Sequence, residues 1–226
     1  MEVDVYQVSL DSLNLQLKRL ENTSNNVANI NTPGYIAQDT FATMVDGQLV
    51  ERTSMSTQQS SLDNTGRILD IAINGQGFFY LLDSGAPVLS KNGRFHINAQ
   101  GLLAHSSGAL LQGSQGNISA VPGDTLIKAD GSVYVSGQHV DNIQVVVPES
   151  PQLLSSKGNN LLSLASFNIS NVEPSLVQGA LNRSSVNASA EMVKMMELNR
   201  TIQSSQKVIQ AYDQLLNVGI NELGKK

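Results

Sequence analysis

The sequence contains no cysteine and no tryptophan, and it is poor in aromatic and charged residues. Without cysteine there are no disulfides and no thiolate metal sites. Phe, Tyr and Trp together make up 4% of the 226 residues, so any core must rest on Leu, Ile, Val and Ala. Charged residues are 15%, against a usual ~25%. Ser, Asn, Gln and Gly take their place, giving a weakly charged, hydrogen-bonding surface suited to packing against copies or relatives of itself. The net charge of −5 leaves no basic stripe to displace phosphate counterions, which argues against nucleic acid as a partner. No apolar run reaches the ~18 residues of a membrane span. The opening MEVDVYQVSLDSLNLQ is acidic and amphipathic, unlike a cleaved secretory signal.

Catalytic equipment is also missing. His96, His105 and His139 have no metal-ligand spacing. Gly75-Gln76-Gly77 lacks the third glycine and the following helix of a dinucleotide fingerprint. Asp63, Asp70, Asp83, Asp124 and Asp130 mostly flank turns, where Asp bonds nearby backbone. A peptidoglycan-acting enzyme using Asp70 or Asp124 is therefore the weaker alternative. No cofactor, metal or small-molecule substrate is expected. Met192, Met195 and Met196 read as adaptable packing.

The organising stretch is Ser24 to Tyr35, SNNVANINTPGY. Asn25, Asn26, Asn29 and Asn31 are poor helix-interior residues, because their side chains compete for backbone hydrogen bonds. Pro33 lacks an N–H and pushes Thr32 out of the α region, and Gly34 permits positive φ. The stretch predicts a helix end that turns in one direction, with amides free to bond a neighbour. Before it, Tyr6, Leu10, Leu13, Leu17, Leu20, Ser24, Val27 and Asn31 form one seam at the coiled-coil period. Gln16, Lys18, Arg19 and Glu21 suit its outer face.

Residues 33–66 predict an extended connector, with a turn at Asp46-Gly47 and a Ser/Thr/Gln-rich run from residue 51. From Arg67 the period becomes two. Asn74-Gly75 predicts a hairpin joining 68–73 to 77–82. Glycine turns then recur every 7–12 residues, which predicts an antiparallel, barrel- or sandwich-like all-β domain over 67–170. Within 171–226 the helical period returns, through Met195, Leu198, Ile202, Ser205, Ile209, Tyr212 and Leu216. Ser184, Ser185 and Asn187 offer N-cap oxygens. The fold class expected is α+β: a heptad helix at 1–32, another in 171–226, and a central β domain.

Four ordered motifs resemble the bacterial flagellar axial family of rod and hook proteins. SNNVANINTPGY is similar to the family's ANNLANVNTPGY. TGRILDIAINGQGFFYL at 65–81 resembles its TG-x-x-LD-x-AI-x-G-x-GFF segment, and KNGRFHINAQGLLAHSSGALLQG at 91–113 its glycine-spaced run. QGALNRSSVNASAEMVKMMELNR at 178–200 resembles QG-x-LE-x-SNVN-x-x-EEM-x-x-MI-x-x-QR, with Asn182 in place of Glu, Ser185 of Asn and Ala190 of Glu. Length favours the proximal-rod over the distal-rod type. The resemblance implies a basal-body subunit in the periplasmic rod, exported through the flagellar type III apparatus without signal cleavage. Its partners would be other rod and hook subunits and its own copies. It also implies terminal helices that order on assembly. The heptad seams, which include Val27 and Leu198, predict that Leu10, Leu13, Leu17 and Leu20 pack against Ile202, Ile209, Tyr212 and Leu216 as a coiled coil in the assembled rod. The Asn-rich turn would bond the C-terminal helix or an adjacent subunit.

Overall fold

The computed structural model describes residues 5–45, 48–56, 60–149, 154–163 and 168–223. The fold is α+β, with a helix towards each end and an antiparallel β region between. The chain divides into unit 1 (Met1–Ala28, Gln38–Thr53, Asn187–Lys226) and unit 2 (Asn29–Ala37, Ser54–Val186).

In unit 1, helices α1 (Val5–Ala28) and α2 (Ala188–Leu223) lie against each other. Along α2 the more enclosed positions are Met195, Leu198, Ile202, Ser205, Ile209 and Tyr212, stepping by three and four. Asn187 caps the helix: its Oδ1 accepts the Ala190 N–H at 3.2 Å and its carbonyl the Glu191 N–H. On α1 the enclosed residues are Thr23 and Asn26 rather than the leucine seam, and Leu17 is 46% exposed.

The reason lies in strand β1 (Gln38–Val45), which forms a two-stranded ribbon with β2 (Gln48–Met55) inside the segment expected as a connector. Asn26 Nδ2 donates to the Gln38 carbonyl (2.8 Å) and Asn26 Oδ1 accepts the Gln38 N–H (3.0 Å). Asn22 bonds the Thr40 hydroxyl, and Arg19 Nε donates to the Thr40 carbonyl at 3.1 Å. Arg19, Asn22 and Asn26 step by three and four along one helix face, while Gln38 and Thr40 step by two along one strand edge. A polar helix face thus stands where a neighbouring strand would pair. Arg19, expected on the outer face, belongs to this one. The turn expected at Asp46-Gly47 falls outside the described residues.

Unit 2 is built on a ten-stranded sheet. Before it come the short strands β3 (Leu62–Asn64) and β4 (Ile71–Ile73). The sheet takes β5 (Phe78–Asp83), β6 (Ala86–Ser90), β7 (Phe95–Ile97), β8 (Leu103–His105), β9 (Leu110–Gly113) and β10 (Gly116–Asn117). A three-stranded sheet follows: β11 (Thr125–Ile127), β12 (Ser132–Val135) and β13 (Gln138–Asn142). Strands β14 (Val145–Pro148), β15 (Ser155–Gly158), β16 (Leu161–Ser163) and β17 (Ile169–Asn171) complete the large sheet. Finally β18 (Leu176–Gln178) pairs with β4, and β19 (Ala180–Asn182) with β3.

Period-two alternation divides β5 between two clusters. Phe79 and Leu81 join the main core with Ile71, Phe95, Leu103, Leu111 and Val133. Phe78 and Tyr80 pack with Leu89, Val146, Leu154 and Leu162. Phe79 and Phe95 meet edge to face, with centroids 5.2 Å apart.

The hairpin expected at Asn74-Gly75 does not form. Strand β4 leaves to pair with β18 and β5 pairs with β6, so the glycines turn the chain from one sheet to another. The Asn74 N–H donates to the Ser175 carbonyl, and Lys91 Nζ donates to the Gly75 (2.8 Å) and Gly77 (2.9 Å) carbonyls. Burial lowers the Lys91 pKa to about 8. The tight β5–β6 hairpin instead turns at Ser84-Gly85, both at positive φ (52° and 84°).

Gln178 closes the outer edge of β11. Its carboxamide accepts the Ile127 N–H (3.2 Å) and donates to the Thr125 (3.1 Å) and Ile68 (2.9 Å) carbonyls. The segment 171–187, expected with the C-terminal helix, thus belongs largely to unit 2.

His105 is fully enclosed, with Nδ1 2.8 Å from the Ser107 hydroxyl and its ring edge-on to Phe95. Burial, helped by nearby His96, lowers its pKa from 6.5 to about 4. Between those values the unfolded chain binds a proton that the folded chain refuses. The stabilisation is complete above pH 6.5 and is lost as pH falls towards 4, about 3 kcal/mol in all. Urea unfolding at pH 7 and pH 4 should show this loss in the wild type, and a smaller one in His105→Gln.

Candidate assembly site

The helix α1 stops at Ala28, and the rest of the signature turn, Asn29 to Tyr35, belongs to unit 2. Asn29 makes the first bend: its carbonyl accepts the Thr32 N–H at 3.1 Å and its Oδ1 accepts the Thr32 hydroxyl at 3.0 Å. The Thr32 carbonyl then accepts the Tyr35 N–H. Between them Gly34 adopts φ +67° and lies against the backbone of Lys91 and Asn92. A Cβ at residue 34 would sit 2.3 Å from the Asn92 nitrogen, so glycine is required twice over, by conformation and by space.

Asn182 binds this turn to the sheet. Its backbone carbonyl accepts the Gly34 N–H at 2.8 Å. Its side chain, 1% exposed, accepts the Ile73 N–H (2.9 Å) and donates to the Ile73 carbonyl (2.8 Å). A second route runs through Asn160, whose Nδ2 donates to the Pro33 carbonyl at 3.3 Å while its own carbonyl accepts the Ser90 hydroxyl. Ser90 Oγ in turn accepts the N–H of Asn92, the residue Gly34 rests on.

The neighbouring segments are stitched in the same way. The Ser185 hydroxyl accepts the Ala37 N–H (2.9 Å), the Ser185 N–H donates to the Tyr35 carbonyl (3.0 Å), and the Ser56 N–H donates to the Ala37 carbonyl (2.8 Å). Residues 34–37, 56 and 182–185 are therefore gathered within unit 2 close to the points where the chain passes to unit 1.

The residues singled out from sequence divide as follows. Asn26 bonds Gln38 of β1, and Asn29 bonds Thr32. Asn25 and Asn31 are exposed, and Asn31 lines a cleft beside the turn. Pro33 and Gly34 lie in the stitched segment. Leu10, Leu13, Leu20, Val27, Leu198, Ile209 and Tyr212 are half-buried and Ile202 is buried. Leu216 lies on α2 with its side chain outside the described part. Sequence reasoning gave Asn182, Asn160 and Ser90 no role, and offered Ser185 as an N-cap, whereas it bonds Tyr35 and Ala37 and Asn187 makes the cap. Asn182 and Ser185 did carry a signal, since both depart from the motif that the C-terminal region resembles.

Two family models match the chain. Residues 7–35 match the model described as flagella basal body rod protein, and residues 177–223 the one described as flagellar basal body rod FlgEFG protein C-terminal. Across 231 aligned residues the chain is 30% identical to the flagellar basal-body rod protein FlgF of Caulobacter vibrioides, covering 92% of this chain and 93% of that one. The chain belongs to the flagellar basal-body rod protein family. It is also 26% identical to FlgF of Rhizobium meliloti over 99% of both chains. The flagellar hook-basal body complex protein FlhO of Bacillus subtilis is 26% identical, over 93% of this chain and 94% of its own. The two rod-family matches, far apart in sequence, meet in the bonds from Gly34 to Asn182 and from Ser185 to Tyr35.

In this rod-family chain, Asn182→Ala should strand both Ile73 backbone groups and lower stability by about 2–4 kcal/mol. Asn182→Asp, which keeps the shape but removes the donor, should also destabilise. Gly34→Ala should cost about 2–4 kcal/mol through positive φ and overpacking. Urea unfolding of the full chain measures all three.

Proposed function

We propose that this chain is a structural subunit of the flagellar basal-body rod, of the FlgF type, and that it performs no chemistry. The observation that carries the reading is the stitched turn, where both family-matched stretches are joined by hydrogen bonds inside one unit. The carboxylates of the enzyme alternative have structural partners. Asp70 is fully enclosed, accepting the Thr65 hydroxyl at 2.7 Å beside Arg67, and Asp124 accepts the Ser136 hydroxyl at 2.6 Å. A distal-rod or hook-type position is the alternative within the same class.

In this reading the subunit leaves the cytoplasm through the flagellar type III apparatus without signal cleavage and joins other rod and hook subunits and its own copies. In the assembled rod the end helices pair as a coiled coil through the seams Leu10, Leu13, Leu17, Leu20 and Val27, and Leu198, Ile202, Ile209, Tyr212 and Leu216, and the central β domain is barrel- or sandwich-like. The exposed apolar side chains support an assembly role. Leu17, Met192, Val193, Met196 and Val208 are all between 46% and 57% exposed. Heterologous, non-closing contacts between such faces generate a tubule.

Labelled protein in isolated basal bodies should lie in the rod. Complete rods without it would contradict the reading. Leu17→Glu, at an exposed position, should change the subunit's unfolding free energy by no more than about 0.5 kcal/mol yet impair incorporation into rods. Normal incorporation would remove Leu17 from the interface.

A further inference from the structure

Unit 2 contains six cationic side chains, and four of them have partners: Arg67 with Asp70, Lys157 with Asp83, Lys91 with the Gly75 and Gly77 carbonyls, and Lys128 with the Tyr134 ring. The remaining two are Arg94 and Arg183. Among the described residues neither has an ion pair, side-chain hydrogen bond or ring contact, and both are exposed. They come from distant parts of the chain, yet line the same polar cleft of about 160 Å³. The signature turn supplies one wall through Asn31 and Pro33, and Asp63 and Ser184 also line it. Asp63 is not within ion-pair distance of either arginine, so the cleft carries two positive charges and one negative charge that are not matched internally.

We propose that this cleft is a carboxylate-binding site, and that it receives an Asp or Glu side chain from a neighbouring copy. Guanidinium is the side chain best matched to a carboxylate, since its planar donors accept it in bidentate fashion. The source is argued from charge: each chain carries 19 acidic against 14 basic residues, so any approaching copy presents excess carboxylate. Beside the turn, such a contact would tie one subunit's acidic surface to the stitched segment of the next. The inference rests on the rod reading for its partner.

The test uses the full chain with both arginines changed, as Arg94→Glu/Arg183→Glu and as the milder Arg94→Gln/Arg183→Gln. Both positions are exposed, so circular dichroism and urea unfolding should match the wild type; should the glutamate pair not fold, the glutamine pair carries the test. Incorporation into basal bodies should fall about tenfold or more for the glutamate pair, less for the glutamine pair, and recover only in part in Arg94→Lys/Arg183→Lys, which restores the charge without the bidentate fork. In ¹⁵N spectra of the wild-type chain, sodium acetate should shift the Arg94 and Arg183 Nε signals, and inorganic phosphate should do so no more strongly. Wild-type incorporation of the glutamate or glutamine pair overturns the proposal. So does phosphate binding with assembly unaffected, which would make the cleft a free-anion site. Absence of the wild-type protein itself from basal bodies overturns the rod reading instead, so the two failures are distinct.

Discussion

The structure around the signature turn depends on one buried carboxamide. Asn182 satisfies both backbone groups of Ile73 with its side chain and holds Gly34 with its main chain, so β4, β19 and the turn meet at a single residue. Each Ile73 group, left enclosed and unpaired, would cost about 1–3 kcal/mol. Beside that residue, the Asn160 bond to Pro33 and the Ser185 bonds to Tyr35 and Ala37 tie the segment down. Gly34 completes the arrangement, because no side chain fits between the turn and Asn92.

The same device recurs. Asn26 pairs with both backbone groups of Gln38, Asn182 with both of Ile73, and Gln178 with the Ile127 N–H and Thr125 carbonyl. In each case a side-chain amide makes the bonds that the peptide of an adjacent strand would make. This gives the composition a physical meaning. A chain with few aromatics and few charges has joined short strands and a helix with amides, which cap a strand edge without bringing a charge into the interior.

Much of the architecture was legible in the sequence. Both helices announced themselves by heptad spacing, and the many glycine turns announced an antiparallel β region. The helix stop at Asn29 to Gly34 followed from residue chemistry alone. Less legible was anything in which a side chain replaced a strand. The β1–β2 ribbon lies in a stretch with little periodicity, and its partner is a polar face of α1 on which the pattern put Arg19 outside and left Asn26 for the C-terminal helix or another subunit. Asn74-Gly75 carried a strong hairpin signal, but β4 finds its partner in β18, about a hundred residues later. Asn182 sits in a strand, where asparagine is disfavoured and so attracts no attention. Its departure from the related motif was visible, while its role required the fold.

Asn182 holds both Gly34 and Ile73, so the two are released together. Native-state hydrogen exchange of the full chain tests this most directly, by comparing the Gly34 and Ile73 amides. Both amides should exchange only through the large opening of unit 2, with equal free energies and equal denaturant dependence. A Gly34 amide that exchanges as freely as an exposed loop, while Ile73 stays protected, would contradict it.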